Sequence, residues 1–241
     1  MKSDGLPPSI DGVPSSPRIT ARGERTREHL LDVAEQLFSA RSIEGVSLRE
    51  IRLAAGQRNT SALQFHFGDR DGLLRAIVAR HRPRQLVILS QLYEKAVAEG
   101  RQDDPRSLVE VIVRPSTDYL FAGPSARAWV RIVAELAARP ELELDDLVEE
   151  APGVAVEIGM KLLDELAGIV PRKIGFERLL MVSRATLHLC ADRARAEGAE
   201  SFSRHRLPRE VFIDNTVDMA YAALFAPAHR LAECGERPST A

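Results

Sequence analysis

Cysteine is nearly absent from this 241-residue chain: Cys190 and Cys234 are the only two. They stand in unrelated contexts with no metal-ligand spacing, which excludes a disulfide scaffold and a zinc framework. Such usage is natural to a reducing cytoplasm. Long apolar runs are also missing. Charges interrupt every stretch well before 18 residues, so no transmembrane helix and no membrane partner are expected. The first residues, MKSDGLPPSIDGVPSSPR, lack an apolar core and do not read as a signal peptide. Catalytic signatures are absent too. There is no G-x-S-x-G, P-loop or H-E-x-x-H, and the six histidines include no pair at i, i+4. No catalytic residue, metal site or cofactor is therefore expected, and the chain is not read as an enzyme. The acidic run Asp145, Asp146, Glu149 and Glu150, beside Pro152, reads as a solvated helix end rather than a cation site.

What is present is an ordinary globular composition, 44% apolar and 28% charged. The length suits one large domain or two small ones, and suffices for a core without covalent staples. Net charge is −2, but it is unevenly spread. Residues 18–82 hold 12 Arg against 8 acidic groups, while the remainder is acidic. A basic segment on an acidic body points to a nucleic-acid partner. That every basic group in the segment is Arg favours bidentate phosphate or guanine contacts.

Residues 1–17 contain four Pro, four Ser and two Gly and are expected to form a disordered tail. Residues 227–241 read as a flexible tail. Helix signals fill the space between, without strand alternation, so the fold is expected to be all-α. The domains are expected to be a helix-turn-helix bundle at 18–82 and a larger helical domain at 83–226. Helices are expected at 24–41, 48–54, 59–65 and from Asp69 to a break or kink at Pro83. Beyond it they are expected at 85–99, 105–121 with a kink at Pro115, 124–139, 142–149, 154–169, 176–197 and 208–225. A solvated connector containing Arg204, His205 and Arg206 precedes the last.

Residues 47–67, SLREIRLAAGQRNTSALQFHF, carry the chemistry. Ser47 and Glu50 form a capping-box pattern, Gly56 supplies a turn, and a second short helix follows with polar residues at its start. The major groove admits one helix whose first turn offers donors to base edges. Arg58, Asn59, Thr60, Ser61 and Gln64 supply them, while Leu63 and Phe67 face the bundle. The same pattern also serves bundles that never touch DNA, with the polar residues as a solvated face.

Residues 25–78 resemble the DNA-binding domain of the TetR (tetracycline repressor) family. The resemblance rests on R-E-H-L-L-D-V-A-E-Q-L-F, G-V-S-L-R-E-I, A-A-G and L-Q-F-H-F-G-D-R-D-G-L-L. It implies a homodimeric repressor with a helical ligand-binding domain, a double-stranded operator as partner and a small-molecule effector. Four departures stand out. Arg52 replaces the usual Ala, one extra residue lies between Gly56 and Leu63, Gln64 replaces a phosphate-contacting Tyr, and Arg70 replaces a phosphate-binding Lys.

Ser47, at a helix N-terminus, is a candidate phosphate contact or simply a cap. Arg70 and His66 are candidate phosphate contacts, with a surface charge and a packing ring as alternatives. Phe65 is placed against a thymine methyl or the backbone, or only packs. Arg18, Arg22 and Arg25 read as a basic arm ahead of the first helix, able to enter the minor groove.

In the C-terminal half the resemblance implies an inducer pocket between about 84 and 190. Its candidate lining is Tyr93, Tyr119, Phe121, Trp129, Met160 and His188, set against an ordinary core role for each. It also implies a four-helix dimer interface from the last two helices, with Phe212, Asn215, Met219 and Ala222 as candidates. The expected protein is a ligand-responsive, cytoplasmic regulator, associated with the nucleoid when DNA-bound. The alternatives are a ligand-independent regulator or activator, or a helical interaction protein that binds no DNA.

Overall fold

The computed structural model describes residues 21–139, 153–197 and 206–228, and the statements below concern these. Among them are nine α-helices and no strand. They are α1 (Ala21–Arg41), α2 (Leu48–Ala54), α3 (Ala62–Phe67), α4 (Arg70–Ala98) and α5 (Pro105–Tyr119). A 3₁₀ turn (Leu120–Ala122) leads to α6 (Pro124–Ala137), then α7 (Gly153–Ala167), α8 (Arg172–Glu197) and α9 (Arg209–Phe225). None is long and apolar enough to cross a membrane. The expected helix at 142–149, the acidic run, Arg18, Arg204, His205, Cys234 and most of both tails lie outside the described residues.

Local chemistry sets the boundaries. Asp69 caps α4 by accepting the Gly72 N–H, and Asp104 caps α5 by accepting that of Ser107. Pro105 and Pro124 occupy first helical turns, where no intrahelical N–H is needed. Of the break or kink expected at Pro83, the break does not occur: α4 runs through it for 29 residues in all, with Pro83 exposed inside the helix. Proline removes one helical hydrogen bond. Apolar positions on both sides, Ile77 and Val78 before it and Ala96 after it, are nevertheless buried.

Two apolar clusters organise the bundle. In the first, Leu30, Phe38, Ile51, Leu63 and Leu74 of the N-terminal helices join Trp129, Ile132 and Leu136 of α6 and Cys190 of α8. Burial pushes the Cys190 thiol up to about 12, so it behaves as a small apolar side chain. In the second, Leu108 and Val111 of α5 pack with Ile158, Leu162 and Leu166 of α7 and with Val217 and Leu224 of α9. The N-terminal helices therefore rest directly on α6.

That contact contains a buried polar network. Glu35 of α1 and His81 of α4 are each 2% exposed. His81 Nε2 lies 2.9 Å from Glu35 Oε1, and its Nδ1 lies 2.6 Å from the Tyr119 hydroxyl. Ser125 donates to the other Glu35 oxygen at 2.8 Å, and Arg80 reaches Oε1 at 3.1 Å. Burial raises the Glu35 pKa, but hydrogen bonds from His81 and Ser125 outweigh it and leave the carboxyl below its ordinary value. Trp129 closes over the network, its ring 5.5 Å from that of Tyr119 and 5.9 Å from that of His81.

Candidate nucleic-acid interface

Helix α2 begins as the sequence suggests. Ser47 Oγ accepts the Glu50 N–H at 3.2 Å, and Glu50 accepts the Ser47 N–H at 2.8 Å. The Ser47 hydroxyl also donates to Glu50, and Arg41 pairs with the same carboxylate. These contacts, led by the Ser47 N–H, hold the Glu50 carboxyl at about 2. The Ser47 hydroxyl is thus engaged beside a negative charge, which opposes its expected phosphate role and favours the cap.

The turn after α2 is a Schellman motif. Gly56 takes φ +63°, its N–H reaches the Leu53 carbonyl, and the Gln57 N–H reaches the Arg52 carbonyl. Arg52 then donates from Nη1 to the Gln57 carbonyl at 2.8 Å. The arginine at 52 thereby ties down the turn that follows α2.

Helix α3 starts at Ala62, three residues later than expected. Asn59 is the cause. Its side-chain oxygen accepts the Ser61 N–H at 3.0 Å, an Asx turn that diverts the backbone from helix. Arg58, Asn59, Thr60 and Ser61 are consequently exposed in the turn rather than on the first helical turn. Gln64 and Phe65 are exposed on α3 itself, whereas Ala62 and Leu63 are buried. Phe65 is 65% exposed, an unusual position for a phenyl ring beside polar neighbours. A groove between α2 and α3 brings together Arg49, Arg52, Thr60 and Gln64. Sequence reasoning passed over Arg49, although its exposed place within the capping box marked it.

Four candidates are placed differently from their phosphate-contact or basic-arm reading. Arg70 does not stand free on the surface. Its Nη1 donates to the Ile43 carbonyl at 2.5 Å and its Nη2 to the Val46 carbonyl at 2.7 Å, fastening the loop between α1 and α2. His66 is half-buried between Phe65 and Phe67, with ring centroids 5.0 and 6.0 Å away. Its Nδ1 is buried without a partner, and burial followed by the nearby Arg27 charge lowers its pKa. A neutral packing ring accounts for both observations. Arg22 and Arg25 are exposed, but they lie within the first turns of α1 rather than in an arm ahead of it. Arg27, in the same stretch, places its guanidinium 5.4 Å from the Phe67 ring centroid and so ties α1 to α3.

The C-terminal candidates separate. A cavity of about 350 Å³ lies between α4, α5, α6 and α7, with Trp129 in its wall. Tyr119 is buried behind it in the His81 network. The other four are elsewhere. Tyr93 donates to Glu157 at 2.7 Å, and Phe121 packs on Phe212 beneath Arg193 and Arg209. Met160 is 44% exposed on α7, and His188 is exposed on α8. On α9, Asn215, Met219 and Ala222 are exposed at helical spacing, whereas Phe212 turns inward. Phe212 is half-buried, its ring against Phe121 and beneath Arg193.

Residues 30–77 match the family described as bacterial regulatory proteins, tetR family. The HTH-type transcriptional repressor BepR of Brucella suis biovar 1 (strain 1330) is 29% identical over 118 residues. That match covers 43% of this chain and 56% of the relative, little more than half its length. Among solved structures, NalD, the secondary repressor of the MexAB-OprM multidrug efflux pump in Pseudomonas aeruginosa, is 19% identical with a TM-score of 0.47. The similarity covers 85% of this chain and 98% of NalD. GusR of Salmonella enterica is 18% identical with a TM-score of 0.45, covering 83% and 95%.

Proposed function

We propose, for a chain whose residues 30–77 match the tetR family of bacterial regulatory proteins, that it is a ligand-responsive repressor of transcription. The observation that carries this reading is the exposed surface of the α2–α3 unit. Gln64 and Phe65 project from α3, Arg58 and Thr60 from the turn before it, and Arg49 from α2 across the groove. Guanidinium and amide groups suit guanine and adenine edges, and a phenyl ring suits a thymine methyl. Arg22 and Arg25 add positive charge at the start of α1 for phosphates.

Residues 18–82 serve as the DNA-binding head and residues 83–226 as the effector and dimerisation domain. Asn215, Met219 and Ala222 of α9, with Phe176 and Met181 exposed on α8, supply an apolar face for a second copy. Two heads on a two-fold dimer suit a palindromic site. Helix α6 supplies a route for the response. It carries Trp129 in the cavity wall and, further along, Glu135, which holds the Ile43 N–H at the entrance to α2. A ligand that displaces α6 favours a head position that fits the operator less well.

Selection from random double-stranded DNA tests this reading. Enrichment of a palindromic sequence is expected. Recovery of duplexes without any shared sequence contradicts it.

A further inference from the structure

Helices α4, α5, α6 and α7 line the cavity of about 350 Å³, which opens to solvent, and its wall is chemically one-sided. Leu86, Leu89 and Ile112 give it an apolar body. Gln85 Nε2 and Trp129 Nε1, both from residues of that wall, are buried donors with no hydrogen-bond partner. Trp129 as a whole is only 6% exposed. An unsatisfied buried N–H costs free energy, so a site that retains two is poised for acceptors. The charged member of the wall is Arg82, which pairs with no acidic group among the described residues. Its neighbour in sequence, Arg80, is instead held by Glu28, Asp32 and Glu35. No Asp or Glu lines the cavity to receive a cation.

We infer that this cavity binds an apolar carboxylate, whose anionic head accepts from Gln85, Trp129 and Arg82 while its body lies against Leu86, Leu89 and Ile112. This inference rests on the ligand-responsive reading and gives that ligand its chemical class. The head gains charge-assisted hydrogen bonds from Arg82, and a small shift of the Gln85 or Trp129 side chain lets it satisfy a donor left unpaired in the free protein. A cationic amphiphile of equal length places its charge beside Arg82 with no counter-charge, and is rejected.

The test uses the full-length protein and the emission of Trp129, its one tryptophan. Decanoate, decanamide and decyltrimethylammonium are titrated below their micelle concentrations, and 2-naphthoate is compared with 2-naphthamide by calorimetry. At least one carboxylate is expected to bind saturably and ten-fold or more tighter than its amide, with the ammonium not saturating. Arg82→Gln is expected to abolish the preference for carboxylate over amide. Gln85→Leu is expected to weaken carboxylate and amide alike, with far-ultraviolet circular dichroism confirming the fold of each variant. Failure of both carboxylates to bind, equal binding of the ammonium, or a preference that survives Arg82→Gln overturns the inference. Affinity for duplex DNA, measured in parallel, separates the two claims. A carboxylate that binds as described without altering DNA affinity supports the cavity chemistry and contradicts the ligand response.

Discussion

The Glu135 carboxylate of α6 accepts the backbone N–H of Ile43 at 2.9 and 3.0 Å, across 92 residues of sequence. The Ile43 carbonyl, on the other side of the same residue, takes Arg70 of α4. One residue of the loop between α1 and α2 is thus held from both sides by helices that also wall the cavity. Glu135→Ala leaves a partly buried N–H unpaired, at a cost of about 1–3 kcal/mol. Lower stability in urea and faster exchange of the Ile43 amide are expected. A parental exchange rate would show that Glu135 does not hold this loop in solution.

Arg70 is expected to act through structure. Arg70→Ala should lower stability and weaken DNA binding while leaving the slope of log K against log salt unchanged. Loss of a direct phosphate contact would instead lower that slope by about one unit per contact. A salt series on parent and variant decides between them.

The capping box gives a pH signature. Glu50 titrates at about 2 in the folded chain, against an ordinary 4.5. Because the folded value is depressed, the stabilisation is fully present above about 4.5 and is lost as pH falls through about 2. The side-chain carboxyl signal of Glu50, followed by NMR, should move near pH 2. A midpoint near 4.5 would mean that the box is open in solution.

A charge placed on the outer face of α9 should separate the proposed dimer. Met219 is 52% exposed, and its sulfur receives the Asn215 amide at 3.4 Å. Met219→Glu would bury an unpaired carboxylate against the partner, typically worth several kcal/mol. Sedimentation of the variant should show monomer at concentrations where the parent is dimeric. An unchanged dimer would place the interface elsewhere.

The all-α class and the limits of α2 were legible because Ser47, Glu50 and Gly56 act locally. The start of α3 was not, since Asn59 competes for the backbone in a way that composition does not reveal. That α4 runs on past Pro83 was not legible for the opposite reason: the packing of α4 on both sides of it outweighs its local helix-breaking effect. Arg70, His81 and Gln85 take their roles from atoms far along the chain or from a cavity. No spacing rule marks them.

The turn before α3 and its exposed face are proposed to read DNA sequence. This role is tested most directly by binding of parent and Arg58→Ala/Phe65→Ala proteins to the selected duplex and to a scrambled one at fixed salt. The variant is expected to fold as the parent does but to lose about 1–3 kcal/mol of preference for each base contact removed. Binding to the scrambled duplex should change much less. A folded variant that keeps the parent's full preference for the selected duplex would contradict the account.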